Sequence, residues 1–280
     1  MKFTKLQGAG NDYVFLDGRG IEKDWSSLAI SMSDRHFGVG SDGIIVARHS
    51  QNAPIKMQMF NADGSEGEMC GNGLRCFVRY IVDEGIIEPQ TNNILVETGA
   101  GILSVNPIVQ NDVIYRAKIN MGTPRFISHE IPVKVPNLIN KNVFDYPILI
   151  EKTALTISCL SMGNPHAVTF LNDPIKEFPL ETLGPIIEHL EIFPNRVNFE
   201  IANIIDANHI EARVWERGSG ITMACGTGAC AIAVIAYLKG LIKSEVEIKL
   251  PGGYLIVNWD GKGDVFLEGP IEEVFKGEWN

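Results

Sequence analysis

Long apolar runs, basic clusters and paired cysteine motifs are all missing from this sequence. The longest unbroken apolar stretch, Ala229 to Leu238, is far too short to cross a bilayer. Residues Met1 to Gly8 lead straight into polar, glycine-rich sequence without the apolar core of a signal peptide, so neither export nor membrane association is expected. There is no run of Lys and Arg, and the net charge of −10 argues against a nucleic-acid partner, which would need clustered cations for its phosphates. The five cysteines form no Cys-x-x-Cys pair, and the chain is too long to need disulfide staples, so a reducing cytoplasm fits best. No metal site is expected either. Cys70 and Cys76, like Cys225 and Cys230, are spaced too far apart to share a helix face as i, i+3 or i, i+4 ligands.

What is present is enough for two cores, with 45% hydrophobic residues over 280 positions. The 28 glycines gather in Gly-Asn, Asp-Gly and Gly-x-Gly clusters, where backbone can approach a ligand closely. The most informative stretch is Ala224-Cys225-Gly226-Thr227-Gly228-Ala229-Cys230, followed by residues apolar on every side up to Lys239-Gly240. This pattern predicts an all-round buried helix that ends at a glycine stop. Its first turn presents unpaired backbone N–H groups beside a thiol, which lowers a thiol pKa and offers an anion site.

The same layout occurs earlier. Cys70-Gly71-Asn72-Gly73 opens an apolar segment that runs to Gly85, and both Cys70 and Gly85 recur 155 residues further on, at Cys225 and Gly240. Gly10-Asn11 recurs at Gly163-Asn164, and Gly101 to Val105 at Gly253 to Val257. Three matches in one order predict two homologous halves.

Alternating segments such as Lys2 to Leu6, Lys56 to Phe60, Val113 to Asn120, Thr153 to Ser161 and His209 to Trp215 read as strands, and Trp25 to Ser33 and Phe178 to Leu190 as helices. The expected class is α+β: two pseudo-symmetric domains, each a mostly antiparallel sheet or barrel wrapped around a central buried helix. The domains are placed at 1–117 and 118–268, with 269–280 returning to the first.

If the halves pack about a pseudo-twofold axis, both helix N-termini can face one cleft, with Cys70 and Cys225 on opposite walls. One sulfur as thiolate base and the other as thiol acid could take a proton from one side of a carbon and deliver one to the other, inverting a stereocentre without a cofactor. Cys76, Cys159 and Cys230 are read as packing residues.

Six blocks in order, Gly10-Asn11-Asp12, Phe60-Asn61-Ala62-Asp63-Gly64-Ser65, Cys70-Gly71-Asn72-Gly73, Met162-Gly163-Asn164-Pro165-His166, Glu216-Arg217-Gly218 and Ala224-Cys225-Gly226-Thr227-Gly228, resemble the motifs of the diaminopimelate epimerase family. The resemblance spans nearly the whole chain. It implies cofactor-independent interconversion of LL- and meso-diaminopimelate in lysine biosynthesis, with Cys70 and Cys225 as acid and base and His166 and Glu216 assisting the thiols. It further implies that Gly71-Asn72 and Gly226-Thr227 hold the reacting carboxylate at the helix N-termini. Asn11, Asn61, Asn164, Asn198, Glu216 and Arg217 would surround the rest of the substrate, with the Arg217 fork suited to a distal carboxylate. The chain departs from the family pattern at Gly43, where family members often carry glutamine, leaving open whether that loop contacts substrate. A related racemase acting on another amino acid and a redox or metal-binding role are the competing readings. A homodimer is left open.

Overall fold

A computed structural model describes residues 1–88 and 93–280 of the chain. It divides into two compact units, one of Met1–Asn120 with Glu268–Asn280 and one of Met121–Leu267.

The first unit contains β1 (Lys2–Gly8), β2 (Asn11–Asp17), α1 (Trp25–Ser33), β3 (Gly43–Arg48), β4 (Ile55–Asn61), β5 (Glu66–Gly67), α2 (Gly71–Asp83), β6 (Ile94–Thr98), β7 (Gly101–Gln110) and β8 (Val113–Asn120). The second contains β9 (Tyr146–Ile150), β10 (Thr153–Ser161), β11 (Pro165–Phe170), α3 (Leu180–Glu188), β12 (Asn198–Asp206), β13 (His209–Glu216), β14 (Gly220–Ile221), α4 (Gly226–Leu238), β15 (Glu245–Leu250) and β16 (Gly253–Asn258). The chain then runs through β17 (Phe266–Pro270) to β18 (Glu272–Glu278), which pairs antiparallel with β1.

The two units repeat one pairing scheme. In the first, β1–β2, β3–β4, β4–β5 and β6–β7 are antiparallel while β2–β3 and β4–β6 are parallel. In the second, β10–β11, β12–β13, β13–β14 and β15–β16 are antiparallel while β11–β12 and β13–β15 are parallel. Each antiparallel hairpin is thus joined to the next by a parallel neighbour at the same place in the order. The sequence-predicted α+β class is the observed one, with this parallel minority.

The central strands of each unit are covered on both faces, so they are buried along successive residues rather than at every second one. Along β2 and β3, Val14, Leu16, Ile44 and Val46 pack with Trp25, Leu28 and Met32 of α1. The intervening Phe15 stacks on Tyr80 of α2, with ring centroids 5.6 Å apart. In the second unit Ala167, Phe199 and Ile201 join the core formed with Leu180, Leu183 and Ile187 of α3. The residues between them, His166, Asn198 and Glu200, therefore point to the other face, toward α4.

Helices α2 and α4 have the same boundaries in kind. Each starts one residue after a cysteine and ends at a left-handed glycine, Gly85 (φ 63°) or Gly240 (φ 69°). Ile86 N–H returns to Ile81 O, and Leu241 N–H to Ala236 O, closing the last turns. Helix α4 is buried from Gly228 to Ala236, and Ile232, Val234 and Ile235 each contribute about 1.5–3 kcal/mol by leaving water. The helix expected from Phe178 to Leu190 is present as α3, two residues shorter at each end because it starts after Pro179 and ends at Glu188, and a separate 3-10 turn at Ile175–Glu177 precedes it. Strand β9, which includes Pro147, pairs antiparallel with β10.

Candidate active site

Cys70 and Cys225 are the N-cap residues of α2 and α4, with extended backbones at φ −131°, ψ 121° and φ −117°, ψ 113°. The sulfur of Cys70 accepts the Gly73 N–H at 3.5 Å, and that of Cys225 accepts the Gly228 N–H at 3.4 Å. A side chain that accepts from the third helical N–H is the usual capping arrangement, here made by sulfur instead of oxygen. The glycine three residues after each cysteine has a steric cause. A Cβ on Gly73 would lie 2.6 Å from Ile45 Cδ1, and one on Gly228 would lie 3.0 Å from Glu200 Oε1 and 3.3 Å from Cys225 Sγ.

In the first unit, Asn72 is buried beside Cys70 and its amide donates to Asn11 Oδ1, while Asn72 Oδ1 accepts from Arg75 at 2.6 Å. Asn11 donates in turn to Asp42 at 3.3 Å, and Arg35 clamps both Asp12 and Asp42. These contacts tie the Gly10-Asn11-Asp12 and Ser41-Asp42-Gly43 loops to the start of α2. Asn61 instead donates to Ser65 at 2.9 Å, closing its own turn. Gly43 pairs with Asn61 across β3 and β4, and a Cβ there would sit 2.2 Å from Phe60 O, so this backbone has no room for a side chain.

In the second unit a continuous hydrogen-bond path leads to Cys225. Thr227 Oγ1 lies 3.5 Å from the sulfur and accepts from Asn164 Nδ2 at 3.2 Å. Asn164 Oδ1 is 2.9 Å from His166 Nε2, and His166 Nδ1 is 2.7 Å from Glu200 Oε1. His166 thus reaches the thiol only through two intermediaries. Glu216 accepts from the Thr222 hydroxyl. Asn198 is buried and bridges backbones, donating to Pro165 O and accepting the Arg217 N–H, each at 2.9 Å. The Arg217 guanidinium is exposed and bonds Asn195 O at 3.1 Å.

Two carboxylates that no motif marks complete this unit. Buried Glu188 on α3 accepts from Trp215 Nε1 at 2.7 Å and from the Gly218 N–H at 3.0 Å, fixing the turn that carries Glu216 and Arg217. Glu200 is the partner of His166, and burial pushes its carboxyl up to about 7 against the lowering effect of His166, with the charge of Glu216 adding to the rise.

The thiol chemistry differs from the expectation that a helix N-terminus lowers the pKa. Burial pushes the Cys225 thiol well above its usual value, and the charges of Glu216 and Glu200 add to this, outweighing the Thr227 hydroxyl and the Gly228 N–H. Desolvation is the larger effect because the sulfur is almost wholly enclosed. Cys225 is therefore held as a thiol, able to give a proton. Cys76 and Cys159 are fully buried, with thiols pushed up by desolvation, to about 12 in Cys76. Among the described residues no group of three or more His, Cys, Asp and Glu side chains is placed to hold a metal ion.

This fold, with its doubled sheet-and-helix unit, is shared with a class of isomerases and related biosynthetic proteins. A proline racemase homologue from Agrobacterium radiobacter matches at a TM-score of 0.71 with 13% identity, covering 100% of this chain and 92% of that one. A phenazine biosynthesis protein of the PhzF family from Bacillus anthracis matches at a TM-score of 0.71 with 18% identity, covering 100% and 99%. Sequence places the chain more narrowly. The diaminopimelate epimerase family model matches residues 3–127 and 158–274, and the chain belongs to that family. Diaminopimelate epimerases of Acetivibrio thermocellus and Methanococcus maripaludis are each 43% identical to it, over 99% of this chain and 98% and 99% of theirs. No helix among the described residues is long and apolar enough to cross a membrane.

Proposed function

We propose that this protein interconverts LL- and meso-diaminopimelate by proton abstraction and return at one α-carbon, using two thiols and no cofactor, in the cytoplasmic synthesis of lysine. The observation that carries the reading is the repeated N-cap cysteine, one at the head of the inner helix of each unit, in a member of this family. A sulfur in that position stands beside backbone N–H groups that the helix cannot satisfy. A carboxylate can bind to these, and so can the charge that develops on it as the α-proton leaves. Gly71-Asn72 and Gly226-Thr227 supply these donors in our scheme, and Asn11, Asn61, Asn164 and Asn198 bind or organise the binding of the remaining polar groups.

The chemistry needs one sulfur as base and one as acid at any moment, with the roles exchanged in the reverse direction. Cys225, enclosed and held as a thiol, suits the donor role, giving its proton to the α-carbon, and Glu216 nearby suits a group that takes the thiol proton when the reverse direction needs Cys225 as the base. Arg217, exposed on its turn, is the cation we assign to the distal carboxylate, which a planar guanidinium can bind through both oxygens.

The test is incubation with LL-diaminopimelate in deuterated water. The expected product is the meso isomer with one solvent-derived deuterium at the inverted α-carbon, while proline, which has no second charged end, is not turned over. Product without label, or no epimerisation of diaminopimelate, would refute the assignment.

A further inference from the structure

Glu200 has no part in the reaction as written above, yet it is fully buried on the face of β12 that meets α4, with its Oε1 2.7 Å from His166 Nδ1. Its Oε2 makes no hydrogen bond of good geometry among the described residues. A carboxyl group placed this way costs free energy unless it does something for its neighbours. We propose that Glu200 is a positioning residue for the Cys225 half of the site, anchoring His166 so that the His166–Asn164–Thr227 hydrogen-bond chain ends with the Thr227 hydroxyl aimed at the Cys225 sulfur. The inference rests on the two-thiol reading above.

The polarity of the chain follows from its atoms. Asn164 Oδ1 can only accept, so His166 Nε2 must carry a hydrogen. That requirement is met when a proton is kept between Oε1 and Nδ1, on either atom, because the ring then has its remaining hydrogen at Nε2. A carboxyl group raised to about 7 by burial retains such a proton. With Oδ1 committed to His166, the Asn164 amide turns its Nδ2 to Thr227 Oγ1, and that oxygen, already accepting, directs its own hydrogen to the sulfur. A hydrogen bond donated to sulfur favours the thiolate, so the chain opposes the desolvation that keeps Cys225 protonated.

The titratable groups around Cys225 in this unit are Glu216 on β13 and Glu200 on β12, with His166 on β11 behind Glu200 and Cys159 of β10 also under the influence of Glu200. Strand β16, which also packs on α4, brings buried Leu255 and Val257. Positioning and through-space charge therefore predict opposite signs. If Glu200 acted only as a negative charge, removing it would make Cys225 easier to ionise. If it anchors the chain, removing it makes ionisation harder.

The experiment measures the pH dependence of iodoacetamide alkylation at Cys225 by peptide mass spectrometry, in the full-length Cys70→Ser background. Glu200→Leu, which leaves Nδ1 without a partner, should move the profile up by roughly one pH unit. Glu200→Gln, whose amide can donate to Nδ1 and keep Nε2 protonated, should restore the wild-type profile. Thr227→Val removes the last hydroxyl and should give the same upward shift, and the Glu200→Leu/Thr227→Val double variant should shift no further than either alone. With Cys70 present, Glu200→Leu should lower kcat about tenfold with KM within about twofold, and Glu200→Gln should recover it. A downward shift in both Glu200 variants, or an unchanged profile in Thr227→Val, overturns the proposal. Should Glu200→Leu not fold, Thr227→Val and Glu200→Gln decide the matter by themselves. Alkylation needs no substrate, so it tests Glu200 even if wild-type protein fails to epimerise diaminopimelate, a failure that would count against the functional reading alone.

Discussion

Each site cysteine has two separable tasks, capping a helix and moving a proton, and substitution can divide them. Alanine at position 70 or 225 removes both the sulfur and the cap. Serine removes the titratable thiol but keeps an acceptor for the Gly73 or Gly228 N–H. Loss of a side-chain cap costs about 0.5–2 kcal/mol. A sulfur 3.4–3.5 Å from its donor is a long, weak acceptor, which places Cys70→Ala and Cys225→Ala near the lower end, about 0.5–1 kcal/mol. For a protein of this size that is a fall in Tm of about 1–4 °C. Serine, a stronger acceptor, should melt at or above the wild-type temperature. Turnover should not follow the same order. A serine hydroxyl does not ionise near neutral pH, and loss of a general acid or base costs about 10²–10⁴-fold, so serine and alanine variants should be equally inactive at either position. Scanning calorimetry gives the melts, and chiral chromatography of diaminopimelate gives the turnover. Serine variants that melt as low as alanine variants would refute the capping argument, and turnover within tenfold of wild type in any of the four would refute the two-thiol chemistry.

Glu188→Ala leaves Trp215 Nε1–H and the Gly218 N–H without their acceptor, and should cost about 2–4 kcal/mol while raising KM through the loosened Arg217 turn. Unchanged urea midpoints and KM would show that the turn holds itself. Gly73→Ala forces a Cβ against Ile45 and should cost about 1–3 kcal/mol. Gly85→Ala, at φ 63° with open space around it, should cost only about 1 kcal/mol of backbone strain, so equal melts for the two would contradict the close-packing account. The Glu200 carboxyl, raised from 4.5 to about 7, favours the folded state most when protonated. Its contribution is full below about pH 4.5 and is lost as pH rises through about 7, a change of up to about 3 kcal/mol. Denaturant midpoints at pH 5 and 8 should differ less in Glu200→Gln than in wild type, and parallel differences would count against the shift.

The parts of this molecule that sequence reveals are those written in neighbouring residues. A cysteine followed by Gly-x-Gly and a dozen mostly apolar positions announces where α2 and α4 start, and both helices begin at the next residue. Trp25 to Ser33 is a helix over its whole length for the same reason. Less was legible where partners are distant. Glu200 sits 34 positions from His166 on a different strand, and Glu188 lies 27 positions before Trp215 on an amphipathic helix, where a glutamate usually faces water. Nor could periodicity show that Cys225 would be so enclosed that desolvation exceeds the helix terminus. An acidic residue set between two large apolar ones, as in Phe199-Glu200-Ile201, is the one local sign that could have drawn notice to Glu200.

The pairing of β18 with β1 has a consequence for biosynthesis. Residues 2–8 are synthesised long before residues 272–278 and must wait for them before that ladder can form, by which time every strand from β9 to β16 has been made. During translation the later half can finish folding before the earlier one, in which β1 keeps an unsatisfied edge until β18 has been made. Such long sequence separation slows closure, and it makes the nascent amino-terminal half the stage at which strand-to-strand aggregation is most to be expected.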